Sequence, residues 1–198
     1  MNLSDAQAEL RSAYLRGGPG AIVSGVVWLT AGWVASQQTL GVGFAVLFFG
    51  GMLIFPLSWG IVRLLCGCPA PAGDNPGGTV VVETVFPMIG GLFAAWLLMP
   101  TRPEFVFPVA AIAVGAHYFG FQTAYGDKVY WGFAAAICLL ALASIFFQIP
   151  APQATLPLVI GMVEICVGSG LTWSALIQRR SVRKERPSDQ IPPSARDS

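Results

Sequence analysis

Long apolar runs alternate with short breaks along this chain, and the little charge it has falls in the breaks. Six runs are legible, near residues 20–36, 40–62, 80–99, 104–122, 130–148 and 154–177. Each is close to the roughly 20 residues a helix needs to cross a bilayer. The runs are continuously apolar and lack the period-two alternation of a barrel strand. In lipid, a spanning segment must satisfy its own backbone polar groups, which leaves α-helices. The pattern therefore predicts an all-α, polytopic membrane protein with six transmembrane helices, and three two-helix hairpins are one arrangement it allows.

Composition agrees. Of 198 residues, 11% are charged and 55% hydrophobic, against about 25% charged in soluble domains. Six spans with their turns use most of the chain and leave no room for a separate soluble domain. Three regions are expected: an amphipathic segment over 1–17, a six-helix membrane domain over 18–178, and a disordered basic tail over 179–198. Ser4 and Gln7 have capping-box spacing at the start of the first segment. Leu3, Leu10 and Tyr14 give it an apolar side, so it should lie along the inner membrane surface. The Gly17-Gly18-Pro19-Gly20 run breaks it before the first span, and the Pro- and Gly-rich stretch from Gly67 to Gly78 reads as a flexible loop.

Charge sets the orientation. With both termini in the cytoplasm, Arg102 alone of the 11 basic residues lies outside, as the positive-inside rule asks. The expected location is the cell inner (plasma) membrane, multi-pass, with a basic tail that touches anionic lipid. Phe55-Pro56, Phe107-Pro108 and Leu156-Pro157 recur in the even-numbered spans. That recurrence suggests three hairpins repeated in parallel around an axis along the membrane normal; chance is the competing explanation, since Pro and Gly are common in membrane helices.

Candidate chemistry reduces to a few ionisable groups in expensive places. Glu164 lies near the middle of the last span, where a carboxylate costs several kcal/mol unless paired, hydrated or protonated. It is either a proton or cation site facing a cavity, or a neutral carboxyl holding helices together. His117, the only histidine, titrates in a range suited to a relay, although a hydrogen-bonded interior residue is the commoner role. Arg63 and Glu83 stand at the inner ends of the second and third spans and could pair; snorkelling of the arginine and a favourable helix-dipole position for the glutamate explain them equally well. Trp28 and Trp59 lie deeper than the other tryptophans and either line a pocket or pack.

Other chemistry finds no motif. There is no P-loop, no dinucleotide fingerprint, no HExxH and no GxSxG. The four cysteines, Cys66, Cys68, Cys138 and Cys166, complete no zinc set with a single histidine. No catalytic residue, cofactor or metal is expected, and the basic residues follow the membrane rule instead of forming a nucleic-acid patch.

Several segments carry a resemblance. Arg11-Ser12-Ala13-Tyr14-Leu15 runs into Gly18-Pro19-Gly20, followed by Ser24-Gly25 and Trp28-Leu29. Phe48-Phe49-Gly50-Gly51-Met52-Leu53-Ile54 with Pro56-Leu57-Ser58, and Tyr125-Gly126 before Tyr130-Trp131, continue it. Over roughly residues 1–175 the chain resembles a family of small bacterial multi-pass membrane proteins known only as a domain of unknown function. The resemblance implies the membrane fold and no activity. Two functions stay open: a small-solute or proton-coupled transporter or channel, oligomeric and centred on Glu164, or a structural or accessory membrane protein that binds a partner through its helices or tail. An enzyme is the weakest reading, because no nucleophile–base pair or metal set is present.

Overall fold

Turn and capping residues bound each apolar run, and the chain is helical between them. A computed structural model describes residues 2–147 and 152–184. Among them are seven α-helices: α1 Leu3–Ala13, α2 Gly18–Gln37, α3 Leu40–Gly60, α4 Pro76–Leu98, α5 Val106–Tyr125, α6 Val129–Phe146 and α7 Thr155–Lys184. With their flanking turns, α2 to α7 are six segments long and apolar enough to cross a membrane, the first from Leu15 and the last to Ser181.

The starts are capped by side chains that replace missing intrahelical bonds. Asn2 accepts from the Asp5 amide at 2.9 Å, Thr39 from Val42 at 3.3 Å and Asn75 from Gly77 at 3.0 Å. The expected Ser4–Gln7 capping box is absent. Asn2 takes the capping role, and Gln7 donates instead to the carbonyl of Thr123. α5 stops at Gly126, whose φ of 62° is a left-handed conformation that favours glycine. Pro56 lies inside α3, and the end of that helix widens into a π-turn over Ile61–Leu65. α7 continues through Arg179, where the sequence places the start of the tail; residues 185–198 lie outside the described residues.

The six long helices form two rows of three. α2 packs between α3 and α7, and α5 packs between α4 and α6. Within a row the contacts are close because the facing residues are small. A Cβ on Gly25 would stand 2.6 Å from the Gly161 carbonyl, one on Gly43 2.8 Å from the Ala31 carbonyl, and one on Gly115 3.3 Å from the Ala134 carbonyl. Between the rows the side chains are large. Trp28 meets Phe107 with ring centroids 6.4 Å apart, and Phe48 meets Phe93 at 5.6 Å.

The pairing is not that of three hairpins throughout. α2 with α3 and α4 with α5 pair as neighbours in sequence, but α6 and α7 touch only slightly, and α7 lies along α2. Glycine spacing explains this. Gly18, Gly25 and Gly32 present one face of α2 every seventh residue, and Gly161 and Gly168 answer on the antiparallel α7. The recurring prolines also differ in setting: Pro56 is exposed, whereas Pro108 and Pro157 are buried.

Candidate functional site

α7 places Glu164 between Gly161 and Gly168, on the side that meets α2. Its side chain is fully buried. The polar groups facing it are the hydroxyls of Ser24 on α2 and Tyr118 on α5, yet neither carboxyl oxygen has a hydrogen-bond partner among the described residues. Buried polar groups are almost always satisfied, and an orphan calls for an explanation. Ser24 and Glu164 come from one row and Tyr118 from the other, so the carboxyl sits at the seam between rows. Trp28, one helical turn from Ser24, is buried in the same seam.

An aromatic column leads from this carboxyl to one end of the bundle. The Tyr118 ring lies 4.4 Å from Phe133 and 5.5 Å from Phe121, and Phe121 lies 5.4 Å from Tyr130. Tyr130 stacks on Tyr125 at 5.6 Å and donates its hydroxyl to the Arg16 carbonyl at 2.6 Å.

That carbonyl belongs to a tight left-handed turn in which Leu15, Arg16 and Gly17 have φ of 49°, 58° and 77°. A non-glycine residue there costs about 1–3 kcal/mol and persists only when its surroundings fix it. Arg16 is fixed by three elements. Its Nε and Nη2 reach Asp127 Oδ2 at 2.7 and 2.5 Å, and its Nη1 reaches Ser174 Oγ on α7 at 2.6 Å. Asp127 Oδ1 meanwhile accepts from the Val129 amide at 3.2 Å.

α1 reinforces this end. Its buried face of Ala6, Leu10 and Ala13 packs on protein, with Leu10 against Gly77 at the start of α4. Gln7 and Arg11 donate to the Thr123 and Tyr125 carbonyls of α5. Glu9 accepts from Asn75 at 2.6 Å and from the Ala72 amide at 2.8 Å. The loop expected to be flexible is thus tied down at Ala72 and Asn75. Arg63 ties it again by donating to the carbonyls of Ala13, Cys68 and Pro69, while Arg179 reaches Cys68 Sγ at 2.9 Å. Burial pushes the Cys68 thiol up from its ordinary value, against the pull of the Arg179 guanidinium.

The four candidates from the sequence are therefore not one cluster. His117 faces α4, with Nδ1 2.8 Å from Thr84 Oγ1. The Thr84 hydroxyl also reaches the Val81 carbonyl, and one hydroxyl proton serves only one of these partners. His117 and Glu164 do not meet. Arg63 lies over the Tyr14 ring at 5.0 Å, and its Nε and Nη2 are buried without a partner among the described residues. Glu83 is exposed on α4 and forms no ion pair with Arg63 among the described residues; those pairs are Arg16–Asp127 and Arg102–Glu104. Sequence reasoning missed Ser24, Tyr118 and Asp127. The available signal was the seven-residue glycine spacing, which puts Ser24 and Glu164 on facing helix surfaces.

The described residues hold no group of three or more His, Cys, Asp or Glu able to bind a metal ion. No curated protein and no solved structure matches the chain. The chain belongs to a family of unknown function (DUF7010), whose profile matches residues 3–174.

Proposed function

We propose, from the site because that family membership assigns no activity, that this protein is a small proton-coupled or cation-coupled membrane transporter or channel with Glu164 as its charge-carrying group. The observation that carries the reading is the fully buried carboxyl, without a hydrogen bond, at the seam of two helix rows. Intramembrane carboxyls of this kind mark ion and proton pathways. Ser24 and Tyr118 supply the hydroxyls that would solvate a bound cation or share a proton.

The orientation belongs to the same proposal. Arg11, Arg16, Arg63, Lys128, Arg179 and Arg180 gather at the end of the bundle that carries α1, and Arg102 stands at the other. The positive-inside rule makes that basic end cytoplasmic in an inner (plasma) membrane.

The test is proton movement into liposomes holding the purified protein, driven by an imposed pH gradient, with the potential clamped and an internal pH dye as readout. Wild type should move protons, and Glu164→Gln should lose at least tenfold in rate at equal insertion. Equal rates would refute the role of Glu164.

One observation favours the second reading, a structural or accessory membrane protein that binds a partner through its helices. Gly51, Gly60 and Gly90 have nothing within 4 Å of where a Cβ would sit, which leaves small-residue surface for another helix. Gly51→Leu and Gly90→Leu should then shrink the assembly in detergent; an unchanged size would exclude this surface.

A further inference from the structure

The two rows are copies of one arrangement. Val27 on α2 packs on Gly50 of α3, and Gly115 on α5 packs on Cys138 of α6. Ala31 packs on Gly43, and Phe119 on Trp131 with centroids 5.2 Å apart. One constant offset in residue number, that from 27 to 115, relates all four residues of the first row to those of the second. The third helix of each half obeys a second constant offset. Gly25 meets Gly161 as Ala113 meets Gly91, and Gly32 meets Ala154 as Gly120 meets Thr84. Pro157 and Pro87 are related by that same offset, and its difference from the first comes from the longer C-terminal end of α3, which with its π-turn runs to Leu65, and the earlier start of α4 at Pro76. Four contacts, two on each kind of helix pair, thus repeat between α2–α3–α4 and α5–α6–α7.

Two spans, α3 and α4, lie between α2 and α5, so these helices run in opposite directions and the halves are inverted. Each half also lends its third helix to the other row: α7 lies with α2 and α3, and α4 with α5 and α6. Inverted repeats of this kind underlie alternating access, because exchanging the conformations of the halves turns the molecule from open on one side to open on the other.

The symmetry is broken at the basic end. The positions matching Arg16 and Asp127 are Glu104 and Thr39. Among the described residues Glu104, half exposed, pairs only with nearby Arg102 at 3.7 Å, and Thr39 spends its oxygen capping α3. Among the described residues no latch joins the rows at those positions. α1, which bridges the rows at the basic end, has no counterpart either, since the residues preceding α5 belong to α4 and its turn.

We propose that the chain is a pair of inverted three-helix repeats that exchange conformation, and that α1 with the Arg16–Asp127–Tyr130 latch holds the basic end shut. A carrier that presents Glu164 to the two sides in turn then replaces an open channel; this use of the exchange rests on the transport reading, whereas the repeat does not.

The experiment measures two distances with paired spin labels, in protein whose four cysteines are replaced by alanine. Leu64→Cys with Lys128→Cys spans the rows at the basic end, and Gln38→Cys with Arg102→Cys spans them at the other. The latch is released by Asp127→Asn, or more gently by Tyr130→Phe, in protein that keeps its helicity and elution volume. Release should lengthen the first distance and shorten the second together. Lengthening at the basic end alone, or no change with either substitution, would overturn the exchange. Fixed distances alongside Glu164-dependent proton movement would leave a channel, so this inference would fail and the transport reading survive. Reciprocal distances without Glu164-dependent movement would do the reverse.

Discussion

If Glu164 serves transport, it should cost the protein stability. The carboxyl is fully buried and both oxygens lack a hydrogen bond. An unsatisfied buried polar group costs about 1–3 kcal/mol, and replacing buried ionic groups with apolar residues of similar volume often stabilises by about 1–4 kcal/mol. Methionine matches glutamate in length, is flexible and fills irregular space. Glu164→Met should therefore stabilise the fold by about 1–3 kcal/mol, or roughly 5- to 150-fold in the folded-to-unfolded ratio. Glu164→Gln keeps a polar head and should stay within about 1 kcal/mol of wild type. The assay is reversible unfolding in mixed micelles, followed by helical circular dichroism and tryptophan fluorescence. Destabilisation of Glu164→Met by more than about 1 kcal/mol would refute the reasoning. It would mean that the carboxyl binds Ser24 and Tyr118 tightly enough to act as structural glue. A double-mutant cycle with Ser24→Ala would then show coupling, whereas an unsatisfied carboxyl gives almost none.

Three further outcomes follow from the packing. Gly161→Ala forces a Cβ to 2.7 Å from the Gly25 carbonyl and should cost about 1–3 kcal/mol by overpacking, whereas Gly51→Ala meets nothing within 4 Å and should be neutral or slightly stabilising in the same unfolding assay. Alanine at Arg16 and at Asp127, singly and together, should show a coupling energy of about 1–3 kcal/mol, because this pair is mostly buried at 19% and 9% exposure; additive effects would show that the pair holds nothing shut. Cys68, buried and with its thiol pushed up by that burial, should react with maleimide at neutral pH more slowly than half-buried Cys66, and its rate should keep rising into alkaline pH as thiolate forms; peptide mass mapping of labelled membranes reads both sites.

The spans could be read from the sequence because their signal is local. Twenty apolar residues between turn residues form a helix whatever its neighbours do, so the run at 40–62 appears as α3 and its π-turn, and the run at 104–122 as α5 with the turn before it. Pairing is a different kind of information. Pro56, Pro108 and Pro157 suggest a threefold parallel repeat by spacing, yet α6 and α7 scarcely touch and α7 lies along α2. The true correspondence pairs Pro157 with Pro87 and hides behind unlike residues, such as Gly50 with Cys138 and Ala31 with Phe119. A close helix contact is set by summed side-chain volume, so one half can place the small residue on either partner. Glu164 stands out in the sequence by its depth, but its lack of a partner is not written there, since it depends on where α2 and α5 bring Ser24 and Tyr118. The sequence places Arg63 and Glu83 at the facing ends of one hairpin, but the backbone carbonyls of Ala13, Cys68 and Pro69 take the arginine instead.

The contrast between close rows and a wide seam connects packing to motion. Inside a row, carbonyls and Cα atoms meet with no side chain between them, and sliding would drive backbone into backbone. Such pairs move as a block. Across the seam the contacts are rings, Trp28 on Phe107 and Phe48 on Phe93, and tilted rings can roll over one another with little change in buried area. A molecule built this way has one soft direction, the rotation of one row against the other. Glu164 and Ser24 travel with one block and Tyr118 with the other, so that rotation is the motion that makes or breaks the polar neighbourhood of the carboxyl. The sole charged bond across the seam among the described residues, Arg16 to Asp127, lies at one end of it. A bond there resists opening with the greatest leverage, which explains why the chain tolerates two left-handed non-glycine residues to place that arginine.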